Sequence, residues 1–171
     1  MRSITFTSLV SICLAGTASA QDITRGCFER DYTAEHLASH PLQVVDDIKL
    51  RFYDDEYGNV LAEMLVLTAN QGHVAKDGLG GQTFWQFLLC WDNGGLGGCS
   101  VECDGGGFDI EIDDGNTLQF VTQGLWVGET DECGGAANIA EVPPRYEGDE
   151  FIPGEPVSYR LYRTDDTACD F

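Results

Sequence analysis

Four groups of residues have types and spacings that chemistry could use. His36 and His40 stand four apart in a segment, residues 33–40, patterned as a short helix. Side chains four apart on a helix share a face, which is the spacing two imidazoles need to hold one metal. The metalloprotease version of this pair carries Glu directly after the first His, whereas here Leu37 takes that place and Glu35 precedes His36. A third ligand would have to come from elsewhere, so the pair is expected to face solvent or cap the helix end. Neither a metal nor a cofactor is assigned.

Asp109, Glu111 and Asp113 alternate along one strand, with Asp104 nearby. Alternating carboxylates could offer oxygens to Ca²⁺, or serve as the acid and base of a hydrolase. Carboxylates two apart on a strand are spaced by about 6.5–7 Å, too far for one ion without loop oxygens. A solvated outer strand face is the expected role. Nucleophile and phosphate motifs are missing: there is no G-x-S-x-G and no H-E-x-x-H, and the glycine clusters 94–98 and 105–107 fit neither a Walker nor a Rossmann spacing.

Beyond Cys13 the chain has six cysteines: Cys27, Cys90, Cys99, Cys103, Cys133 and Cys169. An even count in an exported chain predicts three disulfides rather than a zinc site. Cys27 with Cys169 is the expected pair, closing nearly the whole chain. Pairing among the other four stays open.

The fourth group is aromatic. Trp85 and Trp91 lie on a strand that is apolar on both faces, and Tyr146 and Phe151 fall in a long loop, residues 130–156. These four are the candidate ligand-binding residues. Loops on a rigid sheet are common recognition sites.

The elements that must position these groups are strands. Residues 45–53 alternate, with Ile48, Leu50 and Phe52 on one face and Lys49, Arg51 and Tyr53 on the other. Residues 60–69 and 82–91 are apolar on both faces and predict central strands covered by the helix and loops. Residues 71–82 read as a flexible loop. Residues 108–113 and 118–123 form a hairpin. A three-residue loop, Asp114-Gly115-Asn116, pairs Ile112 with Leu118 and Ile110 with Phe120, which keeps apolar side chains on one face; a slip of one residue would invert them. Asn116 is expected in the left-handed conformation. A further strand is read from Gly124, and residues 157–163 end the fold with Val157, Tyr159 and Leu161 inward. The prediction is a mainly β fold, an antiparallel sandwich or small barrel of seven to eight strands with one short N-terminal helix, braced by disulfides.

Residues 1–20 read as a signal peptide: Arg2, an apolar run, then Ala18-Ser19-Ala20 as a cleavage site. Residues 21–171 then form one secreted or periplasmic β domain. The 29 acidic residues against 9 basic ones give a net charge of −20. That charge repels nucleic acid and anionic membrane surfaces and favours a cationic partner. No stretch is long and apolar enough to predict membrane insertion. The functional expectation is a non-catalytic binding or interaction domain, with a cationic protein as the candidate partner. The alternative is a small carboxylate-dependent hydrolase assisted by Ca²⁺.

Overall fold

A computed structural model describes residues 22–92, 95–128, 130 and 134–171. The expected leader and Cys133 lie outside the described residues. The chain lays down β1 (Gly26–Asp31), α1 (Ala34–Ser39), β2 (Val45–Asp54), β3 (Val60–Thr68), α2 (Gly72–Lys76), β4 (Thr83–Trp91) and β5 (Gly98–Ser100). Then follow β6 (Gly106–Asp113), β7 (Thr117–Val127), β8 (Ala137–Asn138), β9 (Arg145–Glu147), β10 (Glu150–Ile152) and β11 (Val157–Arg163). A single 3-10 turn, Asp166–Cys169, comes last.

Strands β1 to β7 pair in sequence order, all antiparallel, and β11 pairs with both β7 and β1. The sheet therefore closes into an eight-stranded barrel, which removes the exposed edges of an open sheet. Of the two architectures expected, the barrel is the one formed. Eight strands leave an interior about wide enough for side chains to fill. Here Phe28, Leu50, Phe52, Met64, Leu88, Phe120, Tyr159 and Leu161 fill it, all buried. Rings pack at a tilt across the space, with Phe108 and Phe120 centroids 4.5 Å apart and Phe120 and Tyr159 5.5 Å apart. The Tyr159 hydroxyl donates to the Ile139 carbonyl at 2.6 Å, and burial pushes its phenol well above the ordinary tyrosine range.

Cys27 and Cys169 form the expected bridge, across 142 positions of sequence. Cys90 and Cys99 form a second, between directly opposed residues of β4 and β5. Cys103 is also disulfide-bonded.

Helix α1 is capped by Thr33, which accepts from the His36 amide at 3.2 Å. The structure departs from the sequence reading in five places. A second helix, α2, occupies part of the segment read as flexible loop. The 130–156 loop contains β8 and a two-stranded ribbon, β9–β10. Strand β7 runs unbroken through Gly124. Cover over β3 and β4 is incomplete: Leu65, Trp85 and Phe87 are only half-buried on the outer wall, and Leu89 is exposed.

The fifth departure is one of register. Ile110 does oppose Phe120, but a bulge before Ile112 shifts the phase, so Ile112 opposes Gln119 and Asp113 opposes Leu118. Asp113 therefore turns inward and is buried, while Ile112 is only partly covered. Gly115, at φ 84°, takes the left-handed position expected for Asn116.

Candidate functional site

Two clefts adjoin on the outer wall, one on each side of Gln123 and Gly124 in β7. The larger, of about 690 Å³, is walled by Trp126 and by the rings of Tyr146 and Phe151 on the ribbon. The smaller, of about 440 Å³, is walled by Trp91, Asp109 and Pro156.

The ribbon explains how the larger cleft is built. Its turn is Gly148-Asp149, and Tyr146 sits directly opposite Phe151. Directly opposed residues project to one face, so the two rings pack edge to face, with centroids 5.4 Å apart and planes at 60°. Both stay open to water: Tyr146 is 72% exposed and Phe151 54%. Exposed rings on a two-stranded ribbon gain little from burial. Arg145, also lining the cleft, donates through Nε and Nη2 to Glu147 at 3.0 and 2.8 Å. The foot of the ribbon is seated by Gly154, where a Cβ would overlap the Gln123 carbonyl oxygen. The Glu155 amide donates to the Val142 carbonyl at 3.0 Å and closes that foot.

The smaller cleft is built on a cross-strand row. Trp91, Gly98 and Asp109 are register partners on β4, β5 and β6. The row beside it, Cys90, Cys99 and Phe108, points into the barrel, so Trp91 and Asp109 point out. Trp91 Cζ2 and Asp109 Oδ1 lie 2.9 and 3.2 Å from the point a Cβ of residue 98 would occupy. Glycine at 98 lets an indole and a carboxylate converge over a bare patch of backbone.

The four aromatic candidates therefore divide. Tyr146 and Phe151 share the larger cleft and Trp91 lines the adjoining one. Trp85 does not join them; it opposes Leu65 on the β3–β4 wall. The sequence reading missed Trp126, although its strand carried the signal: Leu125 and Val127 are buried, which leaves Trp126 on the outer face.

Most of the remaining chemical groups are engaged elsewhere. The His36 and His40 rings stack, with centroids 4.1 Å apart and planes at 15°, so they do not converge on one ion. His40 Nδ1 donates to the His36 carbonyl at 2.9 Å and is therefore no base for Ser39, whose hydroxyl lies 3.0 Å away. Among the described residues, no three His, Cys, Asp or Glu side chains gather as a metal site. Glu111 accepts from Gln119 Nε2 at 2.7 Å, Asp104 borders the larger cleft, and Asp113 accepts from the Thr24 amide at 2.6 Å. Among the described residues no helix is long and apolar enough to cross a membrane.

Compared with protein-family models, with curated proteins and with solved structures, the chain gives no match.

Proposed function

We propose that the protein is an exported, non-catalytic binding domain whose paired clefts take an extended, cationic segment of a partner protein. The observation that carries this reading is the convergence of Trp91 and Asp109 over Gly98, beside the open rings of Tyr146 and Phe151. Aromatic faces beside carboxylates recognise Lys and Arg side chains through cation–π attraction and charge-assisted hydrogen bonds. The net charge of −20 would steer such a partner in from a distance. Disulfides at Cys27–Cys169 and Cys90–Cys99 suit the oxidising compartment that export implies.

The test is a tryptophan-fluorescence titration of the mature protein with extended peptides that alternate Arg or Lys with small residues. Saturable binding is expected, weakening steeply as salt rises, and lost in Trp91→Ala and in Asp109→Asn. Acidic peptides of the same length should not bind. Affinity unchanged between low and high salt would remove the electrostatic interface. The hydrolase alternative would rest on Asp109 and Glu111; turnover that disappears in both alanine variants, without a loss of Tm, would favour it instead.

A further inference from the structure

Behind Trp126 lies a smaller, more enclosed cavity of about 80 Å³, bounded on its far side by α2 and the residues that follow it. It goes beyond the clefts described above and does not depend on their reading. Trp126 and Asn138 are direct partners on β7 and β8 and both line it. Asn138 is 1% exposed, and its Nδ2 has no hydrogen-bond partner among the described residues. Burying an amide donor without a partner is costly, so a group that accepts from it is called for. The orientation of the amide is set, because Asn138 Oδ1 accepts from the Ala140 amide at 2.8 Å and a flipped side chain would point NH₂ at that N–H.

An acceptor borders the same space. His73 Nε2 lies 2.9 Å from the Ala140 carbonyl, which can only accept, so Nε2 carries a proton. Its Nδ1 lies 3.8 Å from the Asp77 carboxylate, which can only accept. Both residues line the cavity. A cation would meet the Asn138 donor, and an anion would meet Asp77. The group that satisfies both ends is neutral and both accepts and donates, which describes a hydroxyl. Trp126, Pro143 and Pro144 supply apolar walls against which the C–H face of a polyol can lie. One water needs about 10–15 Å³ of such space, so the cavity holds several times more than one.

We propose that this cavity binds a neutral hydroxyl-bearing unit, a sugar or a linear polyol. It would accept from Asn138 Nδ2 and donate to Asp77, with Trp126 beneath its carbon face. The test follows the Asn138 side-chain amide and the Trp126 indole N–H by NMR in the mature protein. Probes are glucose, galactose, mannose, myo-inositol and glycerol, each titrated to saturating millimolar levels at low and at high salt. At least one probe should shift both signals saturably, with an affinity that salt does not change, which separates this site from the cationic clefts. Cyclic probes shifting them without glycerol would identify a sugar, and glycerol alone a linear polyol. Asn138→Asp should abolish the shift at Trp126. Asp77→Asn, at a mostly exposed position, should keep the fold and weaken binding by roughly five- to tenfold. No saturable shift with any probe, or only a long-lived water at the Asn138 amide, would overturn the proposal. So would unchanged affinity in both variants.

Discussion

The Asp113 carboxylate accepts from the backbone amide of Thr24, 89 positions away, at 2.6 Å. It also accepts from the Gly115 amide at 3.1 Å, so one buried side chain ties the β6–β7 turn to the lead-in of β1. Asp113→Ala leaves both amides without this acceptor. It should lower unfolding free energy by about 2–3 kcal/mol in urea titrations. Asp113→Asn keeps an acceptor oxygen and should lose less. Equal stability of the alanine variant and the parent would remove the tie.

The two described disulfides should differ in worth. Constraint of the unfolded chain grows with the loop closed, and the bridges span 142 and 9 positions. In the chain-entropy model the first stabilises by about 5 kcal/mol and the second by about 3 kcal/mol. Paired alanine variants, Cys27→Ala with Cys169→Ala and Cys90→Ala with Cys99→Ala, should rank in that order by denaturant midpoint. The reverse order would show that packing of the inward Cys90–Cys99 bridge outweighs chain constraint.

Tyr159 predicts the alkaline limit of the fold. Burial raises its phenol well above the ordinary value, so the folded state holds a proton that the unfolded chain releases near pH 10. Its contribution is fully present below that pH and is lost as pH rises toward the folded value. Stability should fall by up to about 1.4 kcal/mol per pH unit above roughly pH 10 from this residue alone. Tyr32, also raised by burial, acts in the same direction. Tyr159→Phe should flatten the alkaline slope in denaturant titrations, and an unchanged slope would count against the buried phenol as its source.

On the proposed reading, the ribbon separates binding from folding. Tyr146→Ala with Phe151→Ala removes two exposed rings, so Tm should hold while peptide binding falls at least tenfold. Gly154→Ala forces a Cβ into the Gln123 carbonyl and should unseat the ribbon. It should weaken binding with both rings still present, and broaden the ribbon's amide signals. Full binding by Gly154→Ala would show that the seat does not position the rings.

Much of the barrel could be read from alternation. In β2 and β11 the inward residues Ile48, Leu50, Phe52, Tyr159 and Leu161 are all buried. Strands that close on a filled interior must show this period, so it is written in composition. The bulge in β6 was not legible, because it depends on where β7 comes to rest rather than on any local residue type, and it reversed the places of Ile112 and Asp113. The ribbon was half legible. Tyr146 and Phe151 flank a Glu-Gly-Asp-Glu turn, but prolines 143, 144 and 153 made the segment read as loop, and strands of three residues are too short for a period to show. The meeting of Trp91 with Asp109 depends on Gly98 lying between them across three strands, a relation that no sequence window contains.

The interior of the barrel is occupied by its own side chains, so both clefts and the small cavity lie outside it. On the binding reading proposed above, rigidity and selectivity fall to different residues. The outward positions of β4 to β7 and the ribbon could diversify widely, or be replaced with loops of another preference, while the same plug of Phe28, Phe52, Phe120 and Tyr159 goes on holding the cylinder shut.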